Sequence, residues 1–226
     1  MSPLHDACVL DLLLPRRCAV CLVLGEIVCA ACSARFVRLC PPLCDRCGSP
    51  GAWPVRRCVE CSGRRLGFAS ARAAILYDAP ARAFVLAWKE RGRRDLSRLA
   101  ARLVTEVVAR PGADALTFVP GDSERVLKRG HAPPERLAHE LAAVWELPVG
   151  PLLRRARHVP QQRGLPLADR RRNVAGAFVA TTESPRAVAL VDDVYTTGST
   201  VNACAGALRR AGATRVDVVC LARAVR

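Results

Sequence analysis

Residues 187–200 of this 226-residue chain read AVALVDDVYTTGST. The apolar run Val188 to Val191 predicts a strand buried on both faces, and this strand ends in two carboxylates, Asp192 and Asp193. A loop of small hydroxyl residues and one glycine follows from Thr196 to Thr200, and apolar residues then recur with helical spacing. Backbone N–H groups at such a helix N-terminus converge on an anion, which the helix dipole also favours. The stretch therefore predicts a strand, an acidic pair, a phosphate-binding loop and a helix.

The two halves of this stretch fit one kind of ligand. Carboxylates at the end of a strand can accept hydrogen bonds from vicinal ribose hydroxyls or hold a divalent cation, so a sugar phosphate satisfies both halves. The loop alone also fits an ordinary strand-to-helix turn, with Ser199 or Thr200 as the helix cap. The whole pattern closely resembles the phosphoribosyl pyrophosphate (PRPP) motif of type I phosphoribosyltransferases. It lacks the GxxxxGKS/T of a Walker loop and the GxGxxG of a dinucleotide fingerprint.

Length and composition bound the architecture. A chain of 226 residues, 51% of them apolar, can hold one α/β domain and a small additional module. No apolar run approaches the ~20 residues that a membrane-spanning helix needs. Asp11 and Pro15 interrupt the apolar segment near the N-terminus, so we expect no secretory signal, no membrane insertion and a cytoplasmic protein.

The charge balance is strongly basic. A net charge of +15 favours a polyanionic partner such as nucleic acid, because lysine and arginine neutralise phosphates. Of the 35 basic residues only Lys89 and Lys128 are lysines, a lopsided usage that looks partly like the coding bias of a GC-rich genome. The charge alone therefore identifies no ligand.

Cysteines are concentrated near the N-terminus, where eight of the twelve form four CxxC pairs. The pairs are Cys18/Cys21, Cys29/Cys32, Cys44/Cys47 and Cys58/Cys61. In a cytosolic protein such pairs indicate zinc rather than disulfides, because thiols stay reduced and two CxxC turns complete a tetrahedral S₄ site. We expect two structural zinc ions with sequential pairing, since short loops close at lower entropic cost; a crossed pairing is the alternative. Redox-active or merely buried pairs are the other interpretation.

The pattern after the cysteines predicts an α/β domain. Strands are expected at residues 73–77, 116–120 and 215–223, and helices at 81–91, 95–110 and 137–144. The segment between residue 120 and the last of these helices is expected to be a loop. This alternation predicts a twisted parallel sheet flanked by helices. The predicted domains are residues 1–62, with a short helix and a double zinc ribbon, and residues 63–226.

An arginine-rich, polar segment precedes the phosphate motif. Residues 154–178 read RRARHVPQQRGLPLADRRRNVAGAF, which is typical of a solvated charged loop. Beside a phosphate site, the same loop could close over a pyrophosphate and exclude water.

Taken together, these segments resemble one family. The four CxxC pairs, WKERGRRDL (88–96), RRRNVAGAF (170–178) and VDDVYTTGST (191–200) are similar to those of the ComF-type competence proteins, over nearly the whole chain. The resemblance implies a type I phosphoribosyltransferase fold and a link to DNA uptake in natural transformation. It also implies PRPP and Mg²⁺ as ligands, with transfer of the phosphoribosyl group to an unknown acceptor.

The resemblance further implies roles for single residues. Gly121 and Arg125, in VPGDSER (119–125), would contact the pyrophosphate, and Gln162 would lie on the flexible catalytic loop. Asp192 and Asp193 would face the ribose hydroxyls and help to position Mg²⁺. The 5′-phosphate would be bound by Thr196, Thr197, Gly198, Ser199 and Thr200.

One segment departs from the family pattern. Residues 129–133 read RGHAP where many members have RGFNQ, so two amide groups near the acceptor pocket are replaced and catalytic activity is left open. His131 is either a general base or a structural histidine. Two non-catalytic functions also stay open: binding of single-stranded DNA, and an adaptor role in which the zinc ribbons dock a protein of the competence machinery.

Overall fold

Most of the described chain is organised around a parallel sheet. A computed structural model describes residues 16–156 and 176–225, with the side chain of Arg125 outside that description. The strands are β1 (Ser70–Leu76), β2 (Ala115–Phe118), β3 (Leu153–Arg155), β4 (Phe178–Ala180), β5 (Ala187–Tyr195) and β6 (Arg215–Arg223). The main sheet has the order β1-β6-β5-β2 with every neighbouring pair parallel, whereas β3 and β4 form a separate antiparallel pair.

The helices lie on both sides of this sheet. They are α1 (Ala30–Ser33), α2 (Ala79–Glu90), α3 (Leu96–Val107), α4 (Ser123–Arg129), α5 (Pro133–Trp145) and α6 (Ser199–Arg210). Among the described residues, no helix combines the length and the apolar character needed to cross a membrane. The predicted fold class, a parallel sheet flanked by helices after a cysteine-rich N-terminal module, is confirmed.

Alternation along β5 builds two hydrophobic layers. Ala189 and Val191 pack with α2, α3 and α5 on one face of the sheet. Val188 and Leu190 pack with α6 and with the second half of the cysteine-rich module on the other. Because both faces are covered, β5 carries the continuous apolar run Val188 to Val191, as its sequence predicts.

Helix α2 is fixed at both ends by side-chain hydrogen bonds. Asp78 Oδ1 accepts from the Ala81 N–H at 3.1 Å and so caps its first turn. At the other end, Trp88 Nε1 donates to Ser97 Oγ of α3 at 3.1 Å. The helix buries Phe84, Val85 and Trp88 against the sheet and its neighbouring helices.

The cysteine-rich module hydrogen-bonds to the edge of the sheet. Strand β1 is an edge strand, and its Leu76 N–H donates to the Val37 carbonyl at 2.9 Å. The Leu39 N–H donates to the Ala74 carbonyl, also at 2.9 Å. The module therefore covers strand groups that would otherwise be open to solvent. The boundary between residues 62 and 63 stays a prediction.

Three local predictions are wrong. Strand β5 does not end at the acidic pair but continues to Tyr195, because β6 is as long and pairs Tyr195 with Arg223. The segment expected to be a loop before α5 contains α4, which is followed by Gly130 at a positive φ of 70°. The prediction of a loop over residues 154–178 is wrong at its two ends, which lie in strands β3 and β4, while residues 157–175 lie outside the described residues.

Candidate functional site

The structure brings the eight paired cysteines into two sets. The first set is Cys18, Cys21, Cys29 and Cys32, the second is Cys44, Cys47, Cys58 and Cys61, and the four sulfurs of each lie within 4.8 Å of one another. The sulfurs of Cys21 and Cys29 are 3.8 Å apart, and those of Cys44 and Cys61 are 3.7 Å apart. Four thiolates around one zinc ion, at the usual Zn–S distance, are about 3.8 Å apart, so both sets fit zinc. The cysteines group in the sequential scheme.

Backbone N–H groups favour the thiolate form in both sets. The N–H of Val20 donates to Cys18 Sγ at 3.4 Å, and the N–H of Cys58 donates to Cys44 Sγ at 3.3 Å. Burial opposes ionisation, but backbone hydrogen bonds outweigh it and lower the pKa of Cys18 to about 6 and that of Cys44 to about 7. Burial and the neighbouring cysteines raise the pKa of Cys32, Cys47 and Cys61, so in each set one cysteine is favoured as the thiolate, the form that binds metal.

The loop predicted to bind phosphate, residues 196–200, leads directly into α6. Gly198 stands at the N-cap of this helix with φ 70°, a conformation that glycine adopts without steric cost. The hydroxyl oxygens of Thr197 and Ser199 are 2.9 Å apart, and the Ser199 N–H donates to Thr197 Oγ1 at 3.3 Å. The loop thus gathers hydroxyl groups at the positive end of a helix, where an anion is favoured.

The acidic pair is buried just before this loop. Asp192 and Asp193 are 9% and 5% exposed, and the Asp193 N–H donates to Asp192 Oδ1 at 2.9 Å. Burial and the neighbouring Asp193 carboxylate raise the pKa of Asp192 to about 8. A raised carboxyl pKa indicates negative charge that is not fully compensated, so this pair fits a divalent cation or the hydroxyl groups of a sugar.

Lys89 supplies part of that compensation. Its Nζ, at the end of α2, lies 2.5 Å from Asp193 Oδ2. Burial lowers the pKa of Lys89, but Asp193 and then Asp192 outweigh it and raise that pKa above its ordinary value. The sequence alone predicts no role for Lys89. The sequence feature that distinguishes Lys89 is its rarity, since it is one of only two lysines among 35 basic residues.

We expect Lys89→Met to destabilise the fold measurably. The side chains of Lys89 and Asp193 are 29% and 7% exposed, so removing the ammonium leaves a nearly buried carboxylate without its counter-ion. The cost should be about 1–3 kcal/mol, below the value for a fully buried pair because Lys89 is partly solvated. Urea unfolding measures it, with Arg98→Met as control, since Arg98 is 89% exposed in its own ion pair. Equal losses in both variants would contradict this account of Lys89.

A cavity of about 540 Å³ joins these groups. Asp192, Asp193, Thr196 and Thr200 line it together. Its other lining residues include Tyr77 just after β1, Arg82 and Lys89 of α2, Gly121 and His131 from the segment between β2 and α5, and Arg155 of β3. The acidic pair and the phosphate-binding loop therefore open into one space, and this volume is in the range of small-molecule sites.

The structure describes only some of the residues that were predicted to contact the pyrophosphate or to lie on the catalytic loop. Gly121 lines the cavity, and a Cβ there would lie 2.5 Å from Val126 Cγ2, so packing against α4 already requires glycine. The side chain of Arg125 and all of Gln162 lie outside the described residues. Arg155, from the arginine-rich segment, lines the cavity instead, and its Nε donates to the Pro120 carbonyl at 3.1 Å.

The two ring nitrogens of His131 differ in their hydrogen bonding. Its Nδ1 lies 3.3 Å from the Arg129 carbonyl, a group that only accepts, so Nδ1 bears the proton. Nε2 is then an acceptor, and among the described residues it has no hydrogen-bond partner although it is buried. In this tautomer the lone pair of Nε2 is unused among the described residues.

A comparison with known protein families identifies the N-terminal module. A family model described as a double zinc ribbon domain matches residues 9–64. This range contains both cysteine sets.

Two relatives match most of the chain. Competence protein F of Haemophilus influenzae is 30% identical over 211 residues, which cover 87% of this chain and 90% of the relative. The DNA utilization protein YhgH of Salmonella typhi is 32% identical over 208 residues, with the same coverage of 87% and 90%. Among solved structures, glutamine PRPP amidotransferase from B. subtilis is 27% identical with a TM-score of 0.37. That match covers 57% of this chain and 26% of the enzyme's chain.

Proposed function

This chain belongs to the family of competence protein F and the DNA utilization protein YhgH, and on that premise we propose that it binds PRPP with Mg²⁺. In this proposal the phosphoribosyl group is transferred to an acceptor in the cytoplasm, in support of DNA uptake in natural transformation. Each cysteine set holds one structural zinc ion. A closed S₄ shell has no open ligand position, so neither zinc takes part in the chemistry.

One observation supports the proposal above the others. An acidic pair, a lysine and a hydroxyl-rich loop at a helix N-terminus line the same 540 Å³ cavity. A sugar phosphate carries vicinal hydroxyls at one end and a dianion at the other, which is the complement of this arrangement.

The residues then take the following roles. The carboxylates of Asp192 and Asp193 accept hydrogen bonds from the ribose hydroxyls, while N–H and hydroxyl groups of Thr196 to Thr200 bind the 5′-phosphate. The C1–O bond to pyrophosphate breaks as the bond from C1 to the acceptor forms. Mg²⁺ neutralises charge on the leaving group when it is bound, and Asp192 and Asp193 are the residues that would position it.

The remaining roles concern the leaving group and the acceptor. Arg125 keeps the contact with pyrophosphate, and Gln162 the place on the flexible catalytic loop, that the family resemblance implies. Arg155 adds a guanidinium at the cavity wall, suited to a pyrophosphate oxygen. His131 lines the cavity, and in this proposal its Nε2, which has no hydrogen-bond partner among the described residues, takes the proton that the acceptor releases.

Calorimetric titration of zinc-loaded protein with PRPP tests this proposal. We expect micromolar binding that requires Mg²⁺ and weakens at least ~100-fold in Asp192→Asn/Asp193→Asn, because the ribose and the cation lose their shared carboxylates. Glu183→Gln is the control, since Glu183 is an exposed acidic residue outside the cavity lining. Undetectable binding by folded protein, or binding that the double variant keeps, would overturn the proposal.

A non-catalytic function in binding single-stranded DNA is the second candidate. One observation favours it: Trp53 in the cysteine-rich module is 69% exposed, and Arg56 and Arg57 near it in the chain are exposed as well. Bases stack on exposed aromatic rings and arginines neutralise phosphates. This function would show itself by binding that weakens steeply as salt rises.

A further inference from the structure

Arg223 ties the end of the sheet to the second cysteine set. It lies at the end of β6 and is only 1% exposed. Its Nη1 donates to the Cys47 carbonyl at 2.7 Å, and its Nη2 donates to the Glu60 carboxylate at 2.5 Å. Nη2 also lies 3.6 Å from the Cys47 sulfur. The position of this guanidinium therefore depends on the loop that presents Cys47.

The same guanidinium stacks on Tyr195. Its central carbon lies 4.4 Å from the centroid of the tyrosine ring, and Phe68 meets the ring edge-on at 6.3 Å. The two residues are also neighbours in the sheet, because Tyr195 of β5 pairs with Arg223 of β6. Contacts of this kind hold the ring in one orientation.

Tyr195 in turn supports the phosphate-binding loop. A Cβ placed on Gly198 would lie 2.9 Å from Cε2 of the ring and closer still to its hydroxyl oxygen. This oxygen is buried and has no hydrogen-bond partner among the described residues, so its contact with the loop is one of packing. The backbone at Gly198 therefore rests directly on the tyrosine.

We propose that Arg223 and Tyr195 are positioning residues that make the second cysteine set a support for the phosphate-binding loop. The contacts run from Cys47 through Arg223 and Tyr195 to Gly198, so zinc at the second set and an anion at the loop favour the same ring position. Coupling of this kind is reciprocal. The residues around the first set, Ala19 and Phe36, pack on the opposite face of the sheet. The loop's position is inferred from geometry alone, whereas the coupling to a ligand rests on the proposed function.

Removing one zinc at a time tests the support directly. Cys58→Ser disables the second set and Cys21→Ser, the matched control, disables the first. Amide hydrogen exchange of residues 196–200 is followed by mass spectrometry without any ligand. We expect exchange about tenfold faster in Cys58→Ser alone, since the ring loses its fixed partner. Equal exchange in both variants and the wild type overturns the inference.

Substitutions of the tyrosine test the same link with both zinc ions in place. Tyr195→Leu removes the ring, and we expect about tenfold faster exchange of the loop. Tyr195→Phe keeps the ring, and because the hydroxyl has no partner here it should behave as the wild type. If Cys58→Ser does not fold, this pair of variants still decides the question. Identical loop exchange in Tyr195→Leu and Tyr195→Phe overturns the inference.

The effect of a ligand at the loop on the second cysteine set is measured through the rate of zinc release. Cys21→Ser retains only the second set, and transfer of its zinc to a chromophoric chelator is timed with and without saturating PRPP and Mg²⁺. We expect PRPP to slow release by a factor of about ten, and to lose this effect when Tyr195→Leu is added. If the wild type binds no PRPP, the proposed function fails while the exchange experiments still decide the inference. If PRPP binds but does not slow release, the coupling is overturned and the proposed function is untouched.

Discussion

Replacing Gly198 with alanine is expected to damage both the fold and PRPP binding. Any non-glycine residue at φ 70° costs about 1–2 kcal/mol. Here the new methyl group would also collide with the ring of Tyr195, whose Cε2 would be 2.9 Å away. Tyr195 is buried and held by Arg223, so it cannot move aside cheaply. We expect a total loss of about 3 kcal/mol and at least ~10-fold weaker binding of PRPP, because the loop must shift away from the phosphate.

Gly63→Ala separates the two causes of this loss. Gly63 also has φ 70°, but a Cβ there would meet no atom within 4 Å. It should therefore show only the backbone cost of about 1–2 kcal/mol and bind PRPP normally. Denaturant unfolding and calorimetry on the two variants make the comparison. A loss no greater in Gly198→Ala than in Gly63→Ala would show that the tyrosine does not restrict the loop.

Local spacing accounts for the parts of this site that sequence analysis predicted. An apolar run, two aspartates and a loop of hydroxyl residues occupy consecutive positions, so strand, acidic pair and helix N-terminus follow from neighbours in the chain. The same is true of the cysteine sets, because each CxxC supplies two ligands from one turn and short connections favour sequential pairing.

Residues that reach the site through the strand order could not be predicted in this way. Lys89 meets Asp193 although more than a hundred positions separate them, and Arg223 meets Cys47 across an even longer separation. Both contacts depend on the order β1-β6-β5-β2, which sets what lies beside the end of β5. Local periodicity carries no information about that order.

Strand length was another property that local pattern could not supply. The unbroken apolar run in β5 stops at Val191, yet the strand continues because β6 offers backbone partners as far as Arg223. The carboxylates of the acidic pair are therefore held in a regular strand and are not carried on a loop. Because they lie in a regular strand, the two aspartates can move only a short distance to adjust to a ligand.

Loss of one cysteine from either set is expected to remove one zinc ion from the protein and to destabilise it strongly. Cys18→Ser is the clearest case, since Cys18 is buried and its three partners cannot complete a tetrahedral shell alone. Zinc binding contributes on the order of 10 kcal/mol to the folding of small zinc modules, so even partial loss should lower the melting temperature well beyond an ordinary substitution. Metal analysis by mass spectrometry and thermal unfolding measure the two effects.

Cys40→Ser is the matched control for this prediction. Cys40 lies between the two sets in sequence, is exposed, and among the described residues belongs to neither set. Its variant should keep two zinc ions and the wild-type melting temperature, because serine replaces cysteine at a solvated position without removing a ligand. Equal zinc content in Cys18→Ser and Cys40→Ser would contradict the assignment of Cys18 to a metal site. Unequal content with equal stability would mean that the sheet, which the module borders through β1, holds the ribbon together without its metal.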